Sequence, residues 1–89
     1  MRKYYIQYWN DFANTYNLIY TEGNEPAPDN AERITRAEAL RRCREAAALI
    51  AAGCPDPYRP AAIIPASLAP YHVHPATAGY TLRGHIWQR

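Results

Sequence analysis

The chain has 89 residues, 48% of them hydrophobic and 20% charged, with a formal net charge of +2. That length is room for a single domain, residues 1–89, whose small core needs nearly every large apolar side chain, which argues against a deep active-site cavity. The charge is too mild to imply nucleic-acid binding by itself, and no uncharged apolar run approaches the ~20 residues of a membrane span, so the expectation is a soluble protein.

The start, Met1-Arg2-Lys3, runs into the aromatic stretch Tyr4-Tyr5-Ile6-Gln7-Tyr8-Trp9 and not into an aliphatic leader, so a cytoplasmic location is expected. Residues 3 to 9 alternate, with Tyr4, Ile6 and Tyr8 on one face and Tyr5, Gln7 and Trp9 on the other. Alternation of aromatic and β-branched residues predicts a strand. After the turn formers Asn10 and Asp11, residues 15 to 21 repeat the pattern with Tyr16, Leu18 and Tyr20 on one face. The two runs predict an antiparallel hairpin.

From Glu22 to Arg33 the composition shifts to Gly, Asn, Pro and acids, which predicts a long loop. Glu22, Glu25, Asp29 and Glu32 lie there with no base among them, whereas the segment from Arg33 to Arg44 holds five arginines and one acid. Loops of this length in small domains often carry function, so the acidic loop is a candidate contact element.

Thr35-Arg36-Ala37-Glu38 has the spacing of a capping box and predicts a helix start. Leu40, Cys43, Ala47 and Ile50 form the apolar stripe with Ala39 and Ala46 beside them, Arg41, Arg42, Arg44 and Glu45 fall on the opposite side, and Gly53 followed by Pro55 ends the helix. Between Cys54 and Pro75 the chain is rich in proline, and Ala61-Ala62-Ile63-Ile64 predicts an edge strand. Residues 80 to 88 predict a last strand, with Thr81, Arg83, His85 and Trp87 on one face. The expected fold is α+β, one helix on a small, mostly antiparallel three- to four-stranded sheet in the order β-β-α-(β)-β.

Chemistry is weakly signalled. His72-Val73-His74, with His85, Cys43 and Cys54 elsewhere, lacks the short paired spacings of a zinc site. Neither cysteine nor Ser67 has a base placed beside it by local sequence, and the four glycines are scattered, not gathered in a phosphate loop. No enzyme activity, cofactor or metal is expected. Two reduced thiols suit a reducing compartment.

The aromatics say more, with eight Tyr, two Trp and one Phe. If Tyr4, Ile6 and Tyr8 face the helix, then Tyr5, Gln7 and Trp9 face away, joined by Arg83, His85 and Trp87 if the last strand pairs in register. An open face of this composition fits a protein interface, though it also fits base stacking or the covering of a small core. On the helix, Glu38–Arg42 and Arg41–Glu45 are spaced as ion pairs, which leaves Arg36 and Arg44 as the two arginines to meet a phosphate or carboxylate. An arginine-rich helix would suit a nucleic-acid-binding regulator, and an exposed edge or aromatic face would suit a weak homodimer as well as a monomer.

Tyr4-Tyr5-Ile6-Gln7-Tyr8-Trp9-Asn10, Asn14-Thr15-Tyr16-Asn17 and Arg33-Ile34-Thr35-Arg36-Ala37-Glu38-Ala39, with Gly79-Tyr80 and Gly84-His85-Ile86, resemble the opening and closing parts of small proteins encoded by phages and mobile elements. Within that group the chain resembles anti-CRISPR proteins, in particular inhibitors of the type I-C interference complex. The resemblance implies a protein that docks on the RNA-guided surveillance complex, on its repeating backbone subunit, in the host cytoplasm, and blocks target DNA. It carries no catalytic motif and gives no residue a role. DNA-mimicking members of that class are strongly acidic, so a chain of +2 points to steric occlusion, with the acidic loop as a local phosphate mimic.

Overall fold

The structure is a computed structural model that describes residues 1–8, 16–54, 60–69 and 73–89. β1 (Arg2–Tyr8) and β2 (Tyr16–Glu22) pair antiparallel, with Arg2 opposite Glu22 and Tyr8 opposite Tyr16. The alternating aromatic runs thus form the predicted hairpin. The acidic segment is not loop throughout, because Ala31–Ile34 forms β3 and pairs antiparallel with the other edge of β1. Asn30, in the left-handed region at φ 58°, turns the chain into it, a conformation that Asn tolerates better than most residues. β4 (Ile64–Pro65) adds parallel to β2, giving a mixed sheet in the order β3-β1-β2-β4. Proline fits there because β4 is only two residues long.

Helix α1 (Arg36–Ala51) starts as the sequence predicts, with Thr35 Oγ1 accepting from the Glu38 backbone N–H at 3.0 Å. Only this half of the capping box forms among the described residues, and the Glu38 carboxylate is engaged by arginines instead. The buried row is Ala39, Cys43 and Ala46, with Leu40 half-buried. These lie on the predicted apolar side, with burial deepest along its Ala39–Ala46 edge, and Ile50 at the far end of the stripe is 54% exposed. Small residues win the inner face because the sheet opposite supplies the bulk: Tyr4, Ile6, Tyr16, Leu18 and Tyr20 pack there with Ile63 and Ile86.

The stretch 80–88 is not one strand. β5 (Thr81–Arg83) and β6 (Ile86–Gln88) form their own antiparallel hairpin around Gly84-His85, with Gly84 at φ 62°. A positive φ at the first of two central residues matches the right-handed twist of the flanking strands, and glycine takes it without a Cβ penalty. The hairpin adjoins the main sheet through Ile63, whose N–H donates to His85 O at 2.7 Å and whose carbonyl accepts from Trp87 N at 2.9 Å. Tyr20 reaches across as well, its hydroxyl donating to Trp87 O at 2.5 Å. A short 3₁₀ helix, Pro75–Ala78, precedes the hairpin.

The fold is α+β, one helix on a four-stranded sheet with a two-stranded hairpin beside it. The sheet face away from the helix is covered too: Tyr5 and Ile19 are buried against Ala31, Ile64, Ala66 and Ala69. No helix among the described residues is long and apolar enough to cross a membrane.

Candidate functional site

The acidic segment is held in shape at several points. Gly23 N–H donates to Met1 O at 3.2 Å, Glu25 N–H to Glu22 O at 3.1 Å, and Gln7 Nε2 to Asp29 O at 3.0 Å. Glu25 Oε1 in turn accepts from Glu22 N–H at 3.1 Å, so the carboxylate closes its own turn. Glu22 pairs with Arg2 at 2.7 Å. Asp29 and Glu32 form no ion pair among the described residues, and all four acids are exposed. The segment therefore presents carboxylates from a braced frame, with little ordering left to do on contact.

The aromatic face is arranged differently from the sequence expectation. Tyr5 is 5% exposed, because the chain at 66–69 folds across it. The Arg33 guanidinium sits 5.9 Å from the centre of its ring. Gln7 is half-buried and spent on Asp29, while Trp9 lies outside the described residues. Arg83, His85 and Trp87 do not join this face, since β2 and β4 stand between β1 and the C-terminal hairpin. Arg83 is exposed, and His85 Nδ1 is 3.3 Å from the Ala61 carbonyl. The Trp87 ring meets His74 edge-on at 5.4 Å. The six residues expected to share one open face are thus not gathered, because Gly84 ends the last strand early and makes it a separate hairpin.

On the helix, Glu38 receives Arg41 at 2.6 Å and Arg42 at 2.9 Å, and Glu45 also pairs with Arg41. Hydrogen bonds from Arg41 first and Arg42 second hold the Glu38 carboxyl down at about 2. Arg42 also lies over the Tyr16 ring, its guanidinium carbon 5.5 Å from the centre. Arg36 and Arg44 are exposed and make no ion pair among the described residues, as the spacing predicted.

A cleft of about 220 Å³ that sequence reasoning missed lies where the β1–β2 end meets the C-terminal segment. Arg2, Glu22, Glu25, Ser67, Tyr80 and Arg89 line it, with the Tyr20 ring beneath Arg2 at 4.9 Å. Burial pushes the Tyr20 hydroxyl up to about 12, which keeps it a neutral donor to Trp87 O. Arg89 stacks over Tyr80 at 4.8 Å. No local spacing announces this site, because strand register and tertiary packing bring its walls together.

Among the described residues, no group of three or more His, Cys, Asp or Glu side chains is placed to hold a metal ion. His74 Nδ1 accepts from Ala76 N–H at 3.2 Å, and His72 lies outside the described residues. Cys43 is buried, with its thiol pushed up to about 11 by desolvation, and Cys54 is exposed. Comparison of the chain with protein-family models, curated proteins and solved structures gives no match.

Proposed function

We propose that this chain is a binding protein that acts in the host cytoplasm by covering a basic surface of a protein complex. The observation that carries the reading is the braced acidic segment, in which Glu25, Asp29 and Glu32 stand exposed on a frame tied to β1. A row of carboxylates fixed in this way complements a surface built to hold phosphates, and steers the approach of a positively charged partner. The resemblance to inhibitors of the type I-C interference complex makes its surveillance complex the first partner to test, with occlusion of target DNA as the mechanism.

The chain is expected to co-purify with that complex at micromolar concentration and to abolish the target-DNA mobility shift. The variant Glu25→Gln/Asp29→Asn/Glu32→Gln keeps side-chain size and removes three charges, so binding is expected to weaken and to lose much of its salt dependence. Absence of co-purification removes the type I-C assignment, and undiminished binding by the triple variant removes the acidic segment as the contact.

The second reading, a nucleic-acid-binding regulator, rests on Arg36 and Arg44. It is the weaker, because Glu38 and Glu45 already occupy Arg41 and Arg42. It predicts DNA or RNA affinity that falls steeply with salt, and no binding at low salt refutes it.

A further inference from the structure

The cleft between the β1–β2 end and the C-terminal segment brings charges of both signs into one small volume. Arg2 and Glu22 are cross-strand partners in the register of β1 and β2, so their positions are set by the sheet itself. Their bond uses Arg2 Nε and Glu22 Oε1 at 2.7 Å, and the Arg2 guanidinium also has a side-chain hydrogen bond with Tyr4. A guanidinium has five N–H donors, so most of those on Arg2 remain to be used. Glu25 is fixed by the bond that its Oε1 accepts from Glu22 N–H, with its second oxygen unspent among the described residues. Arg89 is held over Tyr80 by stacking and makes no ion pair with a described acid. Ser67 adds an exposed hydroxyl.

We infer that this cleft is a binding site for the zwitterionic head of a free α-amino acid. The carboxylate is received by Arg89 and Arg2 with the Ser67 hydroxyl, and the ammonium by Glu25 and Glu22. The charge count selects this class. Among the lining side chains, two guanidinium groups and two carboxylates sum to zero, so a simple anion meets two carboxylates, a simple cation meets two guanidinium groups, and a dipolar ion satisfies both pairs. Size agrees, because about 220 Å³ lies below the roughly 300–1,000 Å³ of pockets for drug-sized ligands and suits a single amino acid. The site shares Glu25 with the proposed contact with a protein complex, which rests on Asp29 and Glu32 as well, so Arg89→Gln tests the cleft alone.

The test is a titration of the full chain with each of the twenty common free amino acids at millimolar concentration, followed by amide chemical shifts. At least one is expected to move the resonances of Glu25, Ser67 and Tyr80 in a saturable way. Its N-acetyl derivative, which lacks the ammonium, and its amide, which lacks the carboxylate, are each expected to bind about tenfold more weakly, the loss of one charge-assisted contact. Glu25→Gln and Arg89→Gln are expected to show the same loss with the urea midpoint of the fold unchanged. No saturable shift with any amino acid overturns the inference. So does equal binding of the N-acetyl form or of inorganic phosphate, either of which makes the cleft an anion site.

Discussion

The bond from Tyr20 to Trp87 O ties the last hairpin to the sheet from the core side, and Tyr20→Phe removes it while keeping the ring. Tyr20 is 4% exposed, so the phenyl group stays packed against Tyr4 and the change isolates one hydroxyl. A net hydrogen bond contributes about 0.5–1.5 kcal/mol, and leaving a partly buried carbonyl without its donor costs about 1–3 kcal/mol. The expected loss is therefore about 1–2 kcal/mol, a sizeable part of a total near the lower end of about 5–15 kcal/mol. Urea unfolding reads it as a lower midpoint at unchanged slope. Hydrogen exchange adds the location, since the amides of Ile63 and Trp87 are expected to lose more protection than those of β1. The pH axis gives a second reading. Because the Tyr20 hydroxyl titrates at about 12 in the fold and at 10.0 without it, its contribution is fully present below pH 10 and is lost as pH rises through 12. That alkaline loss is expected to shrink in the Phe variant. A midpoint within about 0.3 kcal/mol of the parent, with the hairpin amides unaffected, would falsify the role given to this bond.

Three further outcomes are expected. Thr35→Ala removes the acceptor for Glu38 N–H and is expected to cost about 1 kcal/mol by urea unfolding; Thr35→Ser restores most of it. With its carboxyl held at about 2 in the fold against 4.5 otherwise, Glu38 supports the helix above pH 4.5 and loses that support as pH falls through 2. Helical circular dichroism on acid titration is expected to fall less steeply for Glu38→Gln over that window. A thiol reagent at neutral pH is expected to label Cys54 quickly and Cys43 only on unfolding, since Cys43 is buried with its thiol raised to about 11. Two fast thiols in the folded protein would contradict the packing of α1.

Much of the fold is legible in the sequence because β1 and β2 each alternate large residues over their whole length, and Thr35 marks the helix start without a competing signal. β3 was missed because Ala31-Glu32-Arg33-Ile34 is short and carries no alternation, and only pairing with β1 makes it a strand. Burial of Tyr5 was missed because Ala66 and Ala69, which cover it, are too small to signal a packed layer in sequence. The split at Gly84 could have been read, since a glycine followed by one residue between two apolar runs is a hairpin signal. Of the candidate site, the acids at 22–32 and the unpaired status of Arg36 and Arg44 followed from spacing, whereas the cleft depends on long-range neighbours.

The three residues Ile63, Ile64 and Pro65 face two ways: Ile63 bonds His85 and Trp87 of the last hairpin through its two backbone groups, while Ile64 and Pro65 pair with β2. N-terminal to them, β1 and β2 close as a local hairpin at small entropic cost, and β3 returns to the far edge of β1. The final hairpin joins through this narrow segment, one tyrosine hydroxyl and the buried side chain of Ile86. Opening at this joint would expose Ile63 and Ile86, which pack in the same core as α1, so the hairpin and the helix share one set of buried contacts.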